Sequence, residues 1–457
     1  MVNTYNTYKN SGIEWIPYIP QSWKTMRLKN VGFLYGGLTG KTGDDFNVED
    51  DNESYMLFIP FTNIFNNSII NPNQLYKVKV SNDENQNLVQ KNDLLFLMSS
   101  EDYDGIGKPA ILEDSIDNLG LNSFSKGLRI TNQDIYPKFL FYYLSSHVSR
   151  ELVRREAKGF IRINLRQDRL HCCKIILPAI HEQTHSIPQA TASYLDKKCV
   201  EIDSLITLQE EMIVELQAYK QSVITETVTK GLDSNAKMKD SGVEWIGEIP
   251  EGWDVKPFKY IFKTGKGLSF TKADLVNEGV PVISYGQVHS KQNKGTQIVD
   301  SLIRFVPVEM TLNSPLAKVH IGDFIFADTS EDLEGCGNCV YIDKEIGLYA
   351  GYHSVIAHAQ SKSSNLYLAY LFLTNCWRSQ IRSRVSGIKV LSISQSIINQ
   401  TTVILPHLSE QRAITSYLDE KTAQIDALIS LKQEKIAELK NYKKSIIYEY
   451  VTGKKRV

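Results

Sequence analysis

The stretch SYLDKKCVEIDSLITLQEEMIVELQAYKQSVITETVTK (Ser193–Lys230) decides the fold, because it returns near the other end as SYLDEKTAQIDALISLKQEKIAELKNYKKSIIYEYVTG (Ser416–Gly453). Apolar residues recur at three- and four-residue intervals in both copies. They are Ile202, Leu205, Ile206, Met212, Ile213, Leu216, Tyr219 and Val223 in the first, and Ile425, Leu428, Ile429, Ile436, Leu439, Tyr442 and Ile446 in the second. That spacing predicts one long amphipathic helix per copy. A helix of about 40 residues is about 60 Å long, more than one ordinary domain covers. The two stripes are therefore expected to pack on each other and to bridge two bodies.

Working outward, the bodies repeat as well. SGIEWIPYIPQSW (Ser11–Trp23) returns as SGVEWIGEIPEGW (Ser241–Trp253), an offset of 230 residues that also aligns the segments beginning at Asn92 and Gly322. KGFIRINLRQDRL from Lys158 matches SGIKVLSISQSII from Ser386 at an offset of 228, and LPAIHEQ from Leu177 matches LPHLSEQ from Leu405 at the same offset. The chain is thus a tandem duplication of a body followed by a long helix. The segments run over 1–180, 181–232, 233–405 and 406–457.

Within each body, β-rich stretches such as SYMLFIPF, KNDLLFLM, PVISYGQV and GDFIFA alternate with Gly, Asn and Asp clusters, which predicts strands and turns. One shorter helix is expected in YPKFLFYYLSSHVSRELVRRE and one in NLYLAYLFLTNCWRSQIRSRV. The fold class is α+β, with two tandem homologous domains and a pair of long antiparallel helices as a coiled-coil spacer. The first copy carries five extra residues around Pro188. Proline interrupts a helix interior, so the first long helix is expected to restart just after Pro188. The second is expected to begin near Ser409, a good N-cap.

Composition narrows the function. The 457 residues are 42% hydrophobic and 23% charged, with a formal net charge of −1. That is ordinary for a globular protein and excludes an indiscriminate polycation while permitting local basic patches. Six cysteines fit a reducing compartment. The absence of a membrane-length apolar run or signal segment points to the cytoplasm and to no membrane partner.

Catalytic signatures are missing. GGLTGKTG (Gly36–Gly43) imitates a phosphate-binding loop, but Tyr35 stands where the first glycine is required. A Gly-rich turn between strands is the better reading. Cys336 and Cys339 lack a second ligand pair, and Cys172 and Cys173, adjacent on an expected strand, would face opposite sides. No catalytic residue and no metal ligand is assigned.

What is present is a pair of basic, polar surfaces. Arg150, Arg154, Arg155, Lys158, Arg162, Arg166 and Arg169 cluster in the first copy, and Arg378, Arg382, Arg384 and Lys389 echo them in the second. A solvated face is the default for such a run. Each cluster, however, runs into a glycine, Gly159 or Gly387, in a loop that both copies keep while its side chains differ. Arginine and lysine there could neutralise phosphates or contact guanine. Asn63, Ser99, Tyr285, Gln287 and Thr329 would add neutral base-edge partners. Two equivalent scaffolds with different loops would read two different short sequences, so the expected target is double-stranded DNA with an asymmetric, bipartite site. The competing reading is a coiled-coil protein-binding scaffold without sequence-specific DNA binding.

The arrangement SG-[IV]-E-W-I-x-x-I-P-x-x-W, a variable body, LP-x-[IL]-x-EQ, YLD and a long helix containing I-D-x-L-I, all repeated, resembles the specificity subunit of Type I restriction-modification systems. The resemblance covers essentially the whole chain. It implies two target recognition domains, with Gly159 to Asn164 and Gly387 to Ser392 facing DNA. It also implies that Ile202, Leu205, Met212, Leu216, Tyr219, Ile425, Leu428, Leu439 and Tyr442 form the spacer and methyltransferase contact. The implied partners are two methyltransferase subunits and two translocating restriction subunits. S-adenosylmethionine, ATP and magnesium would be held by those partners and none by this chain, and adenine would be flipped from the duplex for methylation.

Overall fold

The computed structural model describes residues 4–46, 54–81, 83–178, 186–360 and 365–457. They form two compact units: residues 1–209 with 434–457, and residues 210–433. Each unit therefore takes one body, part of a central helix (Ser186–Lys230) and part of a terminal helix (Leu408–Val451).

The two bodies have the same strand topology. In unit 1 a four-stranded antiparallel sheet runs in the order Gly32–Gly36, Ser125–Ile130, Leu94–Leu97, Pro109–Ile111. In unit 2 the order is Phe262–Lys266, Ser354–Ala359, Phe324–Ala327, Cys339–Tyr341. A mixed three-stranded sheet accompanies each, with one parallel and one antiparallel pairing. A two-stranded ribbon then closes each body, Lys24–Arg27 with Lys174–Leu177 and Asp254–Pro257 with Thr402–Leu405. The central strands Leu94–Leu97 and Phe324–Ala327 are buried throughout, which explains their continuous apolar runs.

Antiparallel pairing of the long helices is visible inside each unit. In unit 1, Lys443 meets Asp203 at 2.6 Å and Tyr450 lies 4.6 Å from Tyr194 between ring centroids. In unit 2, Lys220 meets Asp426 at 2.7 Å, and Lys432 Nζ is 3.4 Å from the sulfur of Met212. Asp203 and Asp426 are repeat counterparts, as are Lys443 and Lys220. One ion pair thus occurs twice, with the helices exchanging roles. Such partly exposed pairs contribute about 0–1 kcal/mol, so they fix register more than stability.

The YLD signature joins helix to body. Leu195 and Leu418 are fully buried, and Asp196 and Asp419 accept hydrogen bonds of 2.6 Å from Tyr142 and Tyr370. Burial is the main reason both phenols are held well above the usual tyrosine range.

Three expectations change. The central helix begins at Ser186, so Pro188 lies inside its first turn, where a missing N–H has no intrahelical acceptor to lose. Residues 179–185, which hold the rest of the expansion, lie outside the described residues. The single short helix of each body is two helices, Pro137–Ser145 and His147–Glu156 in unit 1, Leu366–Phe372 and Asn375–Arg382 in unit 2. Ser146 and Thr374 cap the second of each pair by accepting from Ser149 N–H and Trp377 N–H. Cys172 ends a short helix and Cys173 caps it, so neither lies on a strand.

Both units bury one acid at the same repeat position. Asp93 accepts from Arg129 and Tyr35, whereas Asp323 accepts from His358 Nδ1 at 2.8 Å and from the Ala359 N–H. His358 Nε2 faces the Leu316 carbonyl at 3.0 Å. Both ring nitrogens therefore meet acceptors, which suits the doubly protonated imidazolium. The Asp323 hydrogen bond is the chief cause that raises the His358 pKa, with burial and Lys263 opposing it. Because the folded pKa lies above the unfolded value of about 6.5, this stabilisation is complete below about pH 6.5 and is lost as pH rises through the folded value. Urea midpoints of unit 2 should fall across that window. His358→Gln should flatten the profile, and an unchanged slope in that variant would exclude His358 as its source.

Candidate nucleic-acid interface

The conserved-backbone loop of each body is a closed hairpin. In unit 1, Ser99–Ser100 pairs with Ile163–Asn164, placing Asn164 opposite Ser99, and Lys158 bridges Asn164. In unit 2, Thr329–Ser330 pairs with Leu391–Ser392, placing Ser392 opposite Thr329, and Ser386 bridges Ser392. Four residues assigned from sequence thus meet in two equivalent pairs. The tips, Gly159–Arg162 and Gly387–Val390, are held by glycines at φ 148° in both units. A Cβ on either would sit 2.0 Å from a carbonyl oxygen, that of Arg162 or of Val390, so only glycine closes this turn.

Side chains differ on that common backbone. In unit 1 the Arg162 guanidinium lies 4.6 Å from the Phe124 ring centroid and its Nε donates to Ser99 Oγ at 2.8 Å. Lys158 and Arg166 are exposed nearby in sequence, and Arg166 donates to Asp168 at 3.0 Å. In unit 2, Lys389 is exposed at the tip. A cleft beside this hairpin is lined by Lys266, Phe270, Asp328, Thr329, Tyr352 and Ser392, among others. Tyr285 lies at 5.6 Å from Tyr352 and 5.5 Å from His353, ring to ring.

Other assigned residues make contacts within their own unit. Asn63 is fully buried, and its side-chain NH2 donates to the carbonyls of Asn71 and Gln74, so it shapes its own loop instead of facing solvent. Arg154 donates to Tyr103 O and pairs with Asp104, while Arg155 stacks 3.7 Å over Trp15. Arg150 is buried and donates to Asp104 O, and desolvation pushes its pKa down to about 10. Arg382 donates to Asn375 Oδ1 and Glu334 O, and Arg384 to Gln380 O. Gln287 Oε1 accepts from Ser284 N–H, capping the short helix that carries it. Phe124, Tyr352 and His353 were invisible in the sequence as site residues, because only the fold brings them beside the hairpins.

The lookalikes resolve structurally. A Cβ on Gly37 would lie 2.0 Å from Asn122 O, and one on Gly267, its repeat counterpart, 2.0 Å from Gly351 O. This stretch is a close backbone approach beyond a strand. Cys336 and Cys339 are buried in an apolar cluster of unit 2, and Ile106 is buried at the counterpart of Cys336. Among the described residues no helix is long and apolar enough to cross a membrane.

Of the spacer residues, Ile202 and Ile425 are buried, Met212, Leu216 and Leu439 are half-buried, and Leu205, Tyr219, Leu428 and Tyr442 are exposed. The stripe therefore divides into a packed seam and an uncovered apolar set.

The class these features define is a tandem repeat of α+β bodies, each presenting a hairpin of common backbone and different side chains, and each holding segments of two long helices. Comparison with known proteins supplies the family. The model of the Type I restriction modification DNA specificity domain matches residues 20–202 and 250–441. The Type I restriction enzyme MjaVIII specificity subunit of Methanocaldococcus jannaschii is 24% identical over 444 residues, covering 96% of this chain and 94% of that protein. A chain solved in work on complex assembly and conformational transition of the type I R-M system superposes with a TM-score of 0.71 at 16% identity, covering 95% of this chain and 99% of its own. The HsdS subunit from Thermoanaerobacter tengcongensis superposes with a TM-score of 0.53 at 15% identity, covering 95% and 98%. The chain belongs to the Type I restriction-modification DNA specificity family. It is a DNA sequence-recognition subunit, non-catalytic in role, and the protein-only scaffold is set aside.

Proposed function

We infer that each unit reads one half of an asymmetric, bipartite DNA target, and that the long helices supply the spacer between halves. The observation that supports this is the duplicated hairpin: the same strand pairing and glycine, but Ser99, Arg162 and Asn164 in one unit against Thr329, Val390 and Ser392 in the other. A common backbone positions, and different side chains specify.

Two methyltransferase subunits would dock on the helices and two restriction subunits would join them, in the cytoplasm. The partners would hold S-adenosylmethionine, ATP and magnesium. The exposed apolar set favours two equivalent docking sites, because it is duplicated. Unit 1 presents Leu205, Leu208 and Tyr442, and unit 2 presents their repeat counterparts Leu428, Leu431 and Tyr219, all between 47% and 61% exposed.

Co-expression with the cognate methyltransferase, followed by genome-wide mapping of modified adenines, tests the division of labour. The wild type should mark one split, asymmetric sequence. Arg162→Ala should relax base preference in a single half, with a cost of about 1–3 kcal/mol if Arg162 reads a base. Degeneration of both halves would contradict independent reading.

A further inference from the structure

The hairpin tips carry side chains that the fold leaves wholly uncovered. Phe160 and Ile388 occupy equivalent positions, each just after the tip glycine, and are 102% and 103% exposed. Ile161 follows at 89%. A phenylalanine could be buried almost anywhere with gain. Here the turn instead holds it outward, with Gly159 at φ 148° and strand pairing closing the loop behind it. The same backbone device projects Ile388 in unit 2. Two unrelated apolar side chains at one engineered-looking position argue for a function of the protrusion itself.

We propose that Phe160 and Ile388 are wedges that enter the DNA groove and press between adjacent bases of the two half-sites. This rests on the DNA-reading function above and deepens it. Three observations select DNA as the occupant. The protrusion is a short turn closed at its base by the Lys158–Asn164 and Ser386–Ser392 bridges, with its apolar side chains uncovered, so it can enter a groove. Its sequence neighbours include the exposed cations Lys158 in unit 1 and Lys389 in unit 2, which suit phosphates beside the tip. It is also continuous with the Ser99–Asn164 and Thr329–Ser392 pairs. Apolar side chains inserted at a base step unstack it and bend the duplex. The two units then act differently: the aromatic ring of Phe160 can stack on the exposed base face, whereas Ile388 can only hold the step apart.

The test uses the full-length chain with its methyltransferase subunits and duplexes carrying the mapped target. 2-Aminopurine, whose fluorescence rises on unstacking, is placed at each step of the half-site in turn. Beyond the adenine flipped for methylation, wild type should brighten one further step per half, and that further step is the signal read in the variants. Phe160→Ala should abolish the signal in one half, weaken target binding about tenfold or more, and leave the salt slope unchanged. Ile388→Ala should do so in the other half only. The melting temperature should not move, since neither side chain is packed. Target binding within about twofold of wild type, with brightening intact, would overturn the wedge while leaving DNA reading in place. Loss of methyltransferase association in Phe160→Ala would overturn it in favour of a protein contact. No preference of the wild type for the mapped target would overturn both.

Discussion

Trp253→Ala should cost unit 2 about 3–5 kcal/mol, the range for removing a large buried aromatic side chain. Trp253 is 2% exposed and meets Tyr367 edge-on at 6.2 Å. Its Nε1 donates to Glu410 Oε2 at 3.1 Å, at the start of the terminal helix. A Cβ on Gly231, just past the end of the central helix, would lie 3.2 Å from its ring. Tyr367 in turn donates to Val228 O on that helix at 2.8 Å. One side chain therefore ties together the body, the end of one long helix and the start of the other. Its loss leaves a cavity and a carboxylate without its donor. Hydrogen exchange should show lost protection in residues 210–433 and little change in residues 4–209. The counterpart Trp23, 1% exposed, packs edge-on against Phe139 at 5.8 Å and near Gly453. Trp23→Ala should give the mirror result in unit 1. Equal loss in both units from either variant would show that the tryptophans do not stabilise their own units separately.

Much of this could be seen in the sequence because duplication makes a pattern self-checking. Trp23 and Trp253, the YLD aspartates and the tip glycines return at fixed offsets, and each proves to hold the same structural place in its unit. What could not be read is how side chains divide between scaffold and surface. Arg154 and Arg155 look like free binding cations, yet Asp104, 50 residues earlier, pairs with Arg154, and Arg155 lies over the Trp15 ring. Asn63 resembles a base-edge donor, yet backbone carbonyls of its own loop consume its amide hydrogens. The loop from Gly159 to Asn164 was legible, but period and hydropathy cannot reveal that its Phe160 and Ile161 stand in solvent. The long-helix stripe was legible as helix but not as two faces. Only pairing shows that Ile202 and Ile425 pack while Leu205 and Leu428 do not.

Gly159→Ala should remove one half of target recognition while the rest of the protein stays folded. At φ 148° an alanine is strained by about 1–3 kcal/mol. Its methyl would also lie 2.0 Å from Arg162 O, a backbone atom that cannot swing aside as a side chain can. The turn must open, and with it go the Lys158–Asn164 bridge, the position of Arg162 over Phe124 and the pairing of Asn164 with Ser99. None of these contacts lies in the apolar core of unit 1, so the thermal transition should move only slightly. Target affinity should fall about 30-fold or more, comparable to mismatching two base pairs at about 1–3 kcal/mol each. Non-specific binding and its salt slope should persist, because phosphate contacts elsewhere survive. Gly387→Ala should act alike on the other half, where the methyl would meet Val390 O at 2.0 Å. Competition binding with duplexes scrambled in one half at a time separates the two effects. A Gly159→Ala protein that still discriminates against scrambling of its own half would show that the hairpin is not where that half is read.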